Sequence, residues 1–234
     1  DKNGNFWATS AAEGGYYWRP STEKFTNIYR QDKEPSSLSN NIVWALAQAN
    51  KDTLWIGTEN GLNKFSLSQR TIENYLLSSD LQNESDRVIT EYIFPDDNRG
   101  LWLVTNRGFI YFDTQLNKTI PIKLNSDEDR KIMSDRITGV SLDSEGYLWF
   151  VGGKDYYRYS LKTGKLNKLD LTETSADISS THRFLGKLPH RNTMLFSTPG
   201  KLWGIDGQTL KLELIYKLEV NEQKLSFEVE SWLV

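Results

Sequence analysis

Cysteine is absent from this 234-residue chain, and histidine nearly so, at His182 and His190. Without cysteine there is no thiolate nucleophile, no disulfide and no Cys-based zinc site. The two histidines stand eight residues apart, with Asp177 and Arg183 nearby in sequence. They read as ordinary polar surface rather than as a base and its partner. No HExxH, GxSxG or glycine-rich phosphate loop is present. Asp96-Asp97-Asn98 and Asp127-Glu128-Asp129 could offer oxygen ligands to calcium, but neither follows the alternating EF-hand spacing. No metal, no cofactor and no catalytic residue is therefore expected. Basic blocks are missing and the net charge is -3, which argues against nucleic acid as a partner. No apolar run reaches the ~18 residues of a membrane span, and Asp1-Lys2-Asn3-Gly4 does not open a signal peptide. Any export or anchoring segment is expected to lie outside this chain.

What the chain does have is aromatics: eight Trp, eleven Tyr and ten Phe. These favour strands, and the Trp residues are periodic. Trp7, Trp55, Trp102 and Trp149 are 48, 47 and 47 residues apart, and Phe196 stands 47 further on. A fixed period of this length marks a repeat architecture.

The second period shows the unit. Ile42–Gln48, Thr53–Thr58, Leu62–Leu67 and Thr71–Tyr75 read as four short strands, a to d, separated by turn residues. A helix over 42–48 is excluded by comparison. The matching segments at 137–143 and 184–190 carry Gly139, Gly186 and Pro189, which disfavour helix. Repeat parts fall at 1–29, 42–75, 88–124, 136–169, 182–216 and 225–234. The chain thus opens inside one repeat and stops inside another. In Leu54-Trp55-Ile56 both faces of the strand are apolar, the mark of a sheet covered on two sides. Radial stacking of such sheets achieves this. The expected fold is an all-β propeller of four-stranded antiparallel blades, with about five blade equivalents forming one domain over 1–234. Trp55, Trp102, Trp149 and Phe196 are expected to be wedges buried between blades. Ala45, Thr90, Gly139 and Gly186 are expected to keep the innermost strand small. The text fits a closed five-bladed ring or an arc of a larger one, and the arc is favoured because of the resemblance that follows.

Leu38-Ser39-Asn40-Asn41-Ile42-Val43-Trp44-Ala45-Leu46, followed by Leu54-Trp55-Ile56-Gly57-Thr58-Glu59-Asn60-Gly61-Leu62, resembles the two-component regulator propeller repeat. Residues 99–108 and 146–153 are weaker copies. The resemblance implies the periplasmic or extracellular sensor part of a bacterial membrane receptor, a hybrid histidine kinase or a diguanylate cyclase. It implies larger rings of seven or so blades, followed by a β-sandwich, a membrane helix and an output domain. It also implies a saccharide as the small polar ligand, the remaining receptor domains as partners, and a homodimer. Competing readings are a propeller enzyme acting on polysaccharide, as lyase or glycosidase, and a protein-docking scaffold.

One end of such a fold collects the b–c turns and d–a linkers: Glu13, Tyr16, Tyr17, Asn40, Asn41, Glu59, Asn60, Arg87, Asn106, Arg107, Arg136, Lys154 and Asp155. Loops on a rigid scaffold carry function. The expected ligand contacts are Asn60, Arg107, Lys154, Glu59, Asn106 and Tyr17, with Arg107 foremost because a guanidinium offers several donors at once.

Overall fold

The computed structural model describes residues 6–10, 14–19, 24–75, 77, 87–96, 100–120, 122, 124–135, 137–153, 155–170, 183–188, 191–198 and 201–217. Glu13, Arg136, Lys154, His182, His190 and the repeat part expected at 225–234 lie outside them.

The chain forms two compact units, 1–122 and 123–234. Unit 1 holds three antiparallel sheets. The first has β1 (Phe6–Ser10), β2 (Gly14–Arg19) and β3 (Lys24–Ile28). The second has β4 (Val43–Gln48), β5 (Thr53–Thr58), β6 (Gly61–Ser66) and β7 (Ile72–Tyr75). The third has β8 (Thr90–Asp96), β9 (Gly100–Thr105), β10 (Gly108–Asp113) and β11 (Lys118–Ile120). Unit 2 holds a helix, α1 (Asp127–Ser134), and two sheets. One is β12 (Ile137–Leu142), β13 (Tyr147–Gly152), β14 (Asp155–Ser160) and β15 (Leu166–Leu169). The other is β16 (Arg183–Lys187), β17 (Thr193–Thr198), β18 (Lys201–Asp206) and β19 (Leu212–Lys217). Each sheet is a meander in chain order, as the sequence predicts for a propeller blade, and the first shows strands b to d.

The c–d turns show why the period is so regular. Ser66, Ser160 and Asp206 occupy the same place, as does Asp113, and each caps its turn with a side-chain oxygen. A residue with positive φ recurs at Arg70, Asn117, Gly164 and Leu210. In three of these turns its N–H bonds four residues back, from Arg70 to Ser66, Gly164 to Ser160 and Leu210 to Asp206. Only Gly164 adopts that conformation without a Cβ penalty.

Packing alternates along each b strand. In unit 1, Trp7 and Tyr17 of the first sheet meet Leu54, Ile56 and Phe65 of the second. Trp55, on the other side of β5, meets Leu101, Leu103 and Phe112 of the third sheet. In unit 2, Trp149 and Tyr156 meet Phe184, Met194 and Phe196. One sheet's Trp face thus lies on the next sheet's aliphatic or Phe face.

This register corrects three expectations. Phe196 is not the fifth wedge. The b–c turn closes at Thr58–Gly61 in the second sheet and at Thr198–Lys201 in the fifth. The residue three before the end of β5 is Trp55, and its counterpart in β17 is Leu195. Phe196 points to the opposite face and receives Trp149. Trp102 is only partly covered. It points away from the second sheet, and its ring neighbours are Phe109 and Tyr111 of its own sheet. Thr90, finally, is not the counterpart of Ala45. Ala45 pairs with Gly57, and the residue paired with the matching Val104 is Tyr92. Crowding at the inner strand is relieved by Gly57 instead, where a Cβ would lie 2.6 Å from the Thr90 carbonyl oxygen.

Two further features went unforeseen. The a strands are bulged at nearly the same place, leaving Trp44, Glu91 and Leu185 outside the ladder in three sheets, while Gly139 and Val140 share one partner position in the fourth. Segment 127–134 is α1 rather than loop. Ser126 accepts from the Asp129 N–H at 3.0 Å, and Asp127, Glu128 and Asp129 fill the first turn. These carboxylates face the positive end of the helix. Among the described residues no cluster of three metal-ligating side chains occurs.

Trp55 is buried and Trp102 is not, so Trp55→Ala should cost about 3–5 kcal/mol and Trp102→Ala clearly less. Urea unfolding of the two variants decides this, and equal losses would refute the face assignment.

Candidate functional site

The two described b–c turns of unit 1 are built on a buried hydroxyl. Thr58, fully buried, donates to the Gly61 carbonyl and accepts the Asn60 N–H at 3.2 Å. Thr105 repeats this, donating to Gly108 at 2.8 Å and accepting from Arg107 N–H at 3.1 Å. Gly61 and Gly108 have φ of 90° and 93°, so glycine is required to end each turn.

The turns are tied to the linkers that enter the a strands. Glu59 N–H donates to Ile42 O, Asn106 N–H to Ile89 O, and Gly61 N–H to Val88 O at 2.7 Å. Beneath them runs a buried polar network. Ser39 N–H donates to Asn63 Oδ1 at 2.8 Å, and the Ser39 and Thr58 hydroxyls share a bond of 2.9 Å. Asn63 Nδ2 donates to Ile56 O at 3.1 Å. Every partner is satisfied from inside, as buried polar groups require.

This accounting sorts the expected contact residues. Asn40 Oδ1 accepts Ile42 N–H and Asn41 Oδ1 accepts Arg30 N–H, so both asparagines are turn formers. Asn106 accepts from Ile89 N–H at 2.9 Å and donates to Arg87 O at 3.2 Å. Its amide therefore serves the linker at both ends, which counts against a ligand role. Asp155 pairs with Lys168 at 2.9 Å, and that pairing raises the Lys168 pKa. Tyr17, in β2, is 5% exposed and its ring sits 4.7 Å from Trp7, which counts against a ligand contact. It touches only a cavity of about 160 Å³ shared with Ser36, Arg70 and Ile72, below the ~300 Å³ of usual ligand pockets. Glu59 and Asn60 are half-exposed, and their side chains make no hydrogen bond to a described residue. Arg107 is exposed. The structure thus presents Glu59, Asn60 and Arg107 on two adjacent turns of one unit. Lys154 lies outside the described residues.

At the opposite end of the same sheets the a–b and c–d turns are strongly hydrogen-bonded. Asn50 Oδ1 accepts from Asp52 and Thr53 N–H. Asp52 accepts from the Ser68 N–H and the Ser66 hydroxyl. Bonds from Ser68 and Ser66 hold the Asp52 carboxyl below its ordinary pKa. Tyr111 donates to Asp96 at 3.1 Å. Burial, and then that bond, push its hydroxyl up to about 12. Here lies a cavity of about 520 Å³ that includes Trp55. Sequence reasoning passed over it, because the Trp was assigned wholly to packing.

Three comparisons bear on this architecture. Residues 37–60 match the family model described as two component regulator propeller, so the resemblance read from the sequence stands. The histidine kinase P4 of Formosa agariphila is 30% identical over 93 residues, covering 37% of this chain and 7% of that protein. Among solved structures, the extracellular domain of BT4673 from B. thetaiotaomicron, described as a one component system, aligns over the whole chain. It does so with a TM-score of 0.69 and 16% identity. The extracellular domain of BT3049 from the same organism, described as a hybrid two component system, aligns over 96% with a TM-score of 0.66 and 17% identity. This chain spans 30% of each of those two. The dihydro-heme d1 dehydrogenase NirN also aligns, over 90% of this chain and 44% of its own, with a TM-score of 0.58 and 13% identity. At such identities the likeness is one of fold, a β-propeller, and fold does not fix function.

Residues 37–60 contain Ser39 and Thr58 but not their partner Asn63. Asn63→Ala should leave the Ser39 N–H unpaired and lower stability by about 1–3 kcal/mol. Hydrogen exchange should speed at Ser39 before the rest of unit 1, and exchange unchanged at that amide would refute the network's role.

Proposed function

We propose that this chain is the ligand-sensing propeller region of a bacterial membrane signalling receptor, lying outside the cytoplasm and doing no chemistry of its own. The observation that carries the reading is the match of residues 37–60 to the two-component regulator propeller. The two extracellular domains from B. thetaiotaomicron share its fold across nearly the whole chain, which supports it. Among the described residues no helix is long and apolar enough to cross a membrane.

The ligand we propose is a small hydroxyl-rich molecule, a saccharide, held at the b–c turns of unit 1 by Glu59, Asn60 and Arg107. Two of these turns share one backbone frame yet display different groups, Glu59-Asn60 in one and Asn106-Arg107 in the next. A constant frame with changing side chains is what specificity on a rigid scaffold needs. Binding would favour one arrangement of the receptor over another by the difference in affinity for the two.

The test uses the full extracytoplasmic region and a panel of oligosaccharides, read by calorimetry and by product analysis. A saccharide should bind and no cleavage product should form. Arg107→Ala should weaken binding about tenfold or more, some 1.4 kcal/mol. Cleavage of any panel member would favour the enzyme reading. Full affinity after Arg107→Ala would move the ligand elsewhere.

A further inference from the structure

Each b-strand Trp has a setting defined by the a–b turn and by the partner strand, and the two buried examples differ. In the fourth sheet Trp149 Nε1 donates to Asp143 Oδ2 at 2.8 Å. Arg158, its pair in β14, lies 5.3 Å over the Trp149 ring and 4.4 Å over Tyr147. The same guanidinium donates to Gly207 O at 2.6 Å. The groove in unit 2 is thereby filled from within.

In the second sheet every one of those positions holds a smaller or shorter residue. The turn bond from Asp143 N–H to Tyr147 O, 3.0 Å, corresponds to that from Ala49 N–H to Thr53 O, 3.1 Å. Ala49 therefore replaces Asp143, and Thr53 replaces Tyr147. Lys64, which pairs with Trp55, replaces Arg158, and it turns instead to Glu73 at 3.5 Å. Ala49, Thr53, Trp55 and Lys64 all line the 520 Å³ cavity, together with Asp96 and Leu101. Trp55 is 3% exposed, and its indole N–H donates to no described residue. That N–H is not sealed off inside the protein, so an acceptor arriving from solution can reach it.

We propose that this cavity, between the second and third sheets at the a–b and c–d turn end, is a binding site for a small neutral polyhydroxylated molecule. The volume falls within the ~300–1,000 Å³ typical of ligand sites. The Trp55 N–H and Lys64 supply donors, Asp96 an acceptor, and Thr53 both. Pro95, exposed on the cavity wall, supplies apolar surface for the carbon face of a ring. The single cation and single carboxylate of this set each have an internal partner, Glu73 for Lys64 and Tyr111 for Asp96. A charged ligand would find no spare counter-charge, whereas hydroxyls can add to both.

This site is independent of the b–c turns, and the test separates them. Nitrogen-15 indole spectra of the full chain resolve the tryptophan N–H signals, with Trp55 assigned by Trp55→Phe. Glucose, xylose, maltose and cellobiose are then titrated. At least one should shift the Trp55 signal saturably, with a Kd of about 1 mM or tighter. Ala49→Asp supplies the acceptor that Asp143 supplies to Trp149, and Thr53→Tyr refills the groove. Either variant should abolish the shift with the unfolding midpoint held or raised. No saturable shift with any of the four sugars would overturn the proposal. So would full affinity in a folded Ala49→Asp or Thr53→Tyr chain.

Discussion

A four-stranded sheet with apolar side chains on both faces cannot be finished by its own strands, and every other feature of this chain follows from that. Within each unit a Trp face lies on an apolar face of the next sheet, Trp55 on Leu101 and Leu103, Trp149 on Phe184 and Phe196. The hydrophobic gain for such side chains is about 1.5–3 kcal/mol each. It accrues only if the neighbouring sheet is present. Cooperativity is therefore written into each sheet pair, as in other repeat proteins.

Close packing at the inner strands then sets the polar architecture. Gly57 lets the Thr90 backbone approach, and the b–c turn of the second sheet bonds to the linker of the third through Gly61 and Val88. Polar groups drawn into that junction must be paired, and Ser39, Thr58 and Asn63 pair one another. The residues that make the repeat recognisable are thus spent on the frame. What the frame leaves over, at the turn tips, is what remains for recognition.

The strands were legible because period, turn chemistry and two-sided apolarity agree; β5 has the predicted bounds, and β4, β6 and β7 shift by one residue. Face assignment was less legible, since a strand apolar on both sides gives no alternation to read. Hence Phe196 was placed one residue out of register, and only the closing pair Thr198–Lys201 settles it. The bulges at Trp44, Glu91 and Leu185 carry no composition signal. The helix at 127–134 did leave one, Ser126 ahead of three acids, but the acids were weighed as metal ligands. Tyr17 was grouped with the turn-end residues, and its burial against Trp7 is a tertiary contact that local sequence does not show. The site residues are the least legible, because side chains such as Asn106 and Asn60 look alike until their hydrogen bonds are counted.

Repetition supplies its own control for telling structural from functional positions. Two copies of one frame face the same steric and hydrogen-bonding demands, so a residue that serves the frame should recur in kind. Thr58 and Thr105 do, and so do Ser66, Asp113, Ser160 and Asp206. Where copies diverge, the demand is either met by another route or not met. At Trp149 the indole N–H is met by Asp143 and the space by Arg158. At Trp55 the same two positions are Ala49 and Lys64, and neither the donor nor the volume is taken up from within. Drift that merely lost a contact would be expected to collapse the space or rotate the ring. Here the ring keeps its place against Phe112, at 6.1 Å, and the space stays open beside polar side chains. A preserved scaffold around a donor open to solution fits the proposed binding site better than a packing defect.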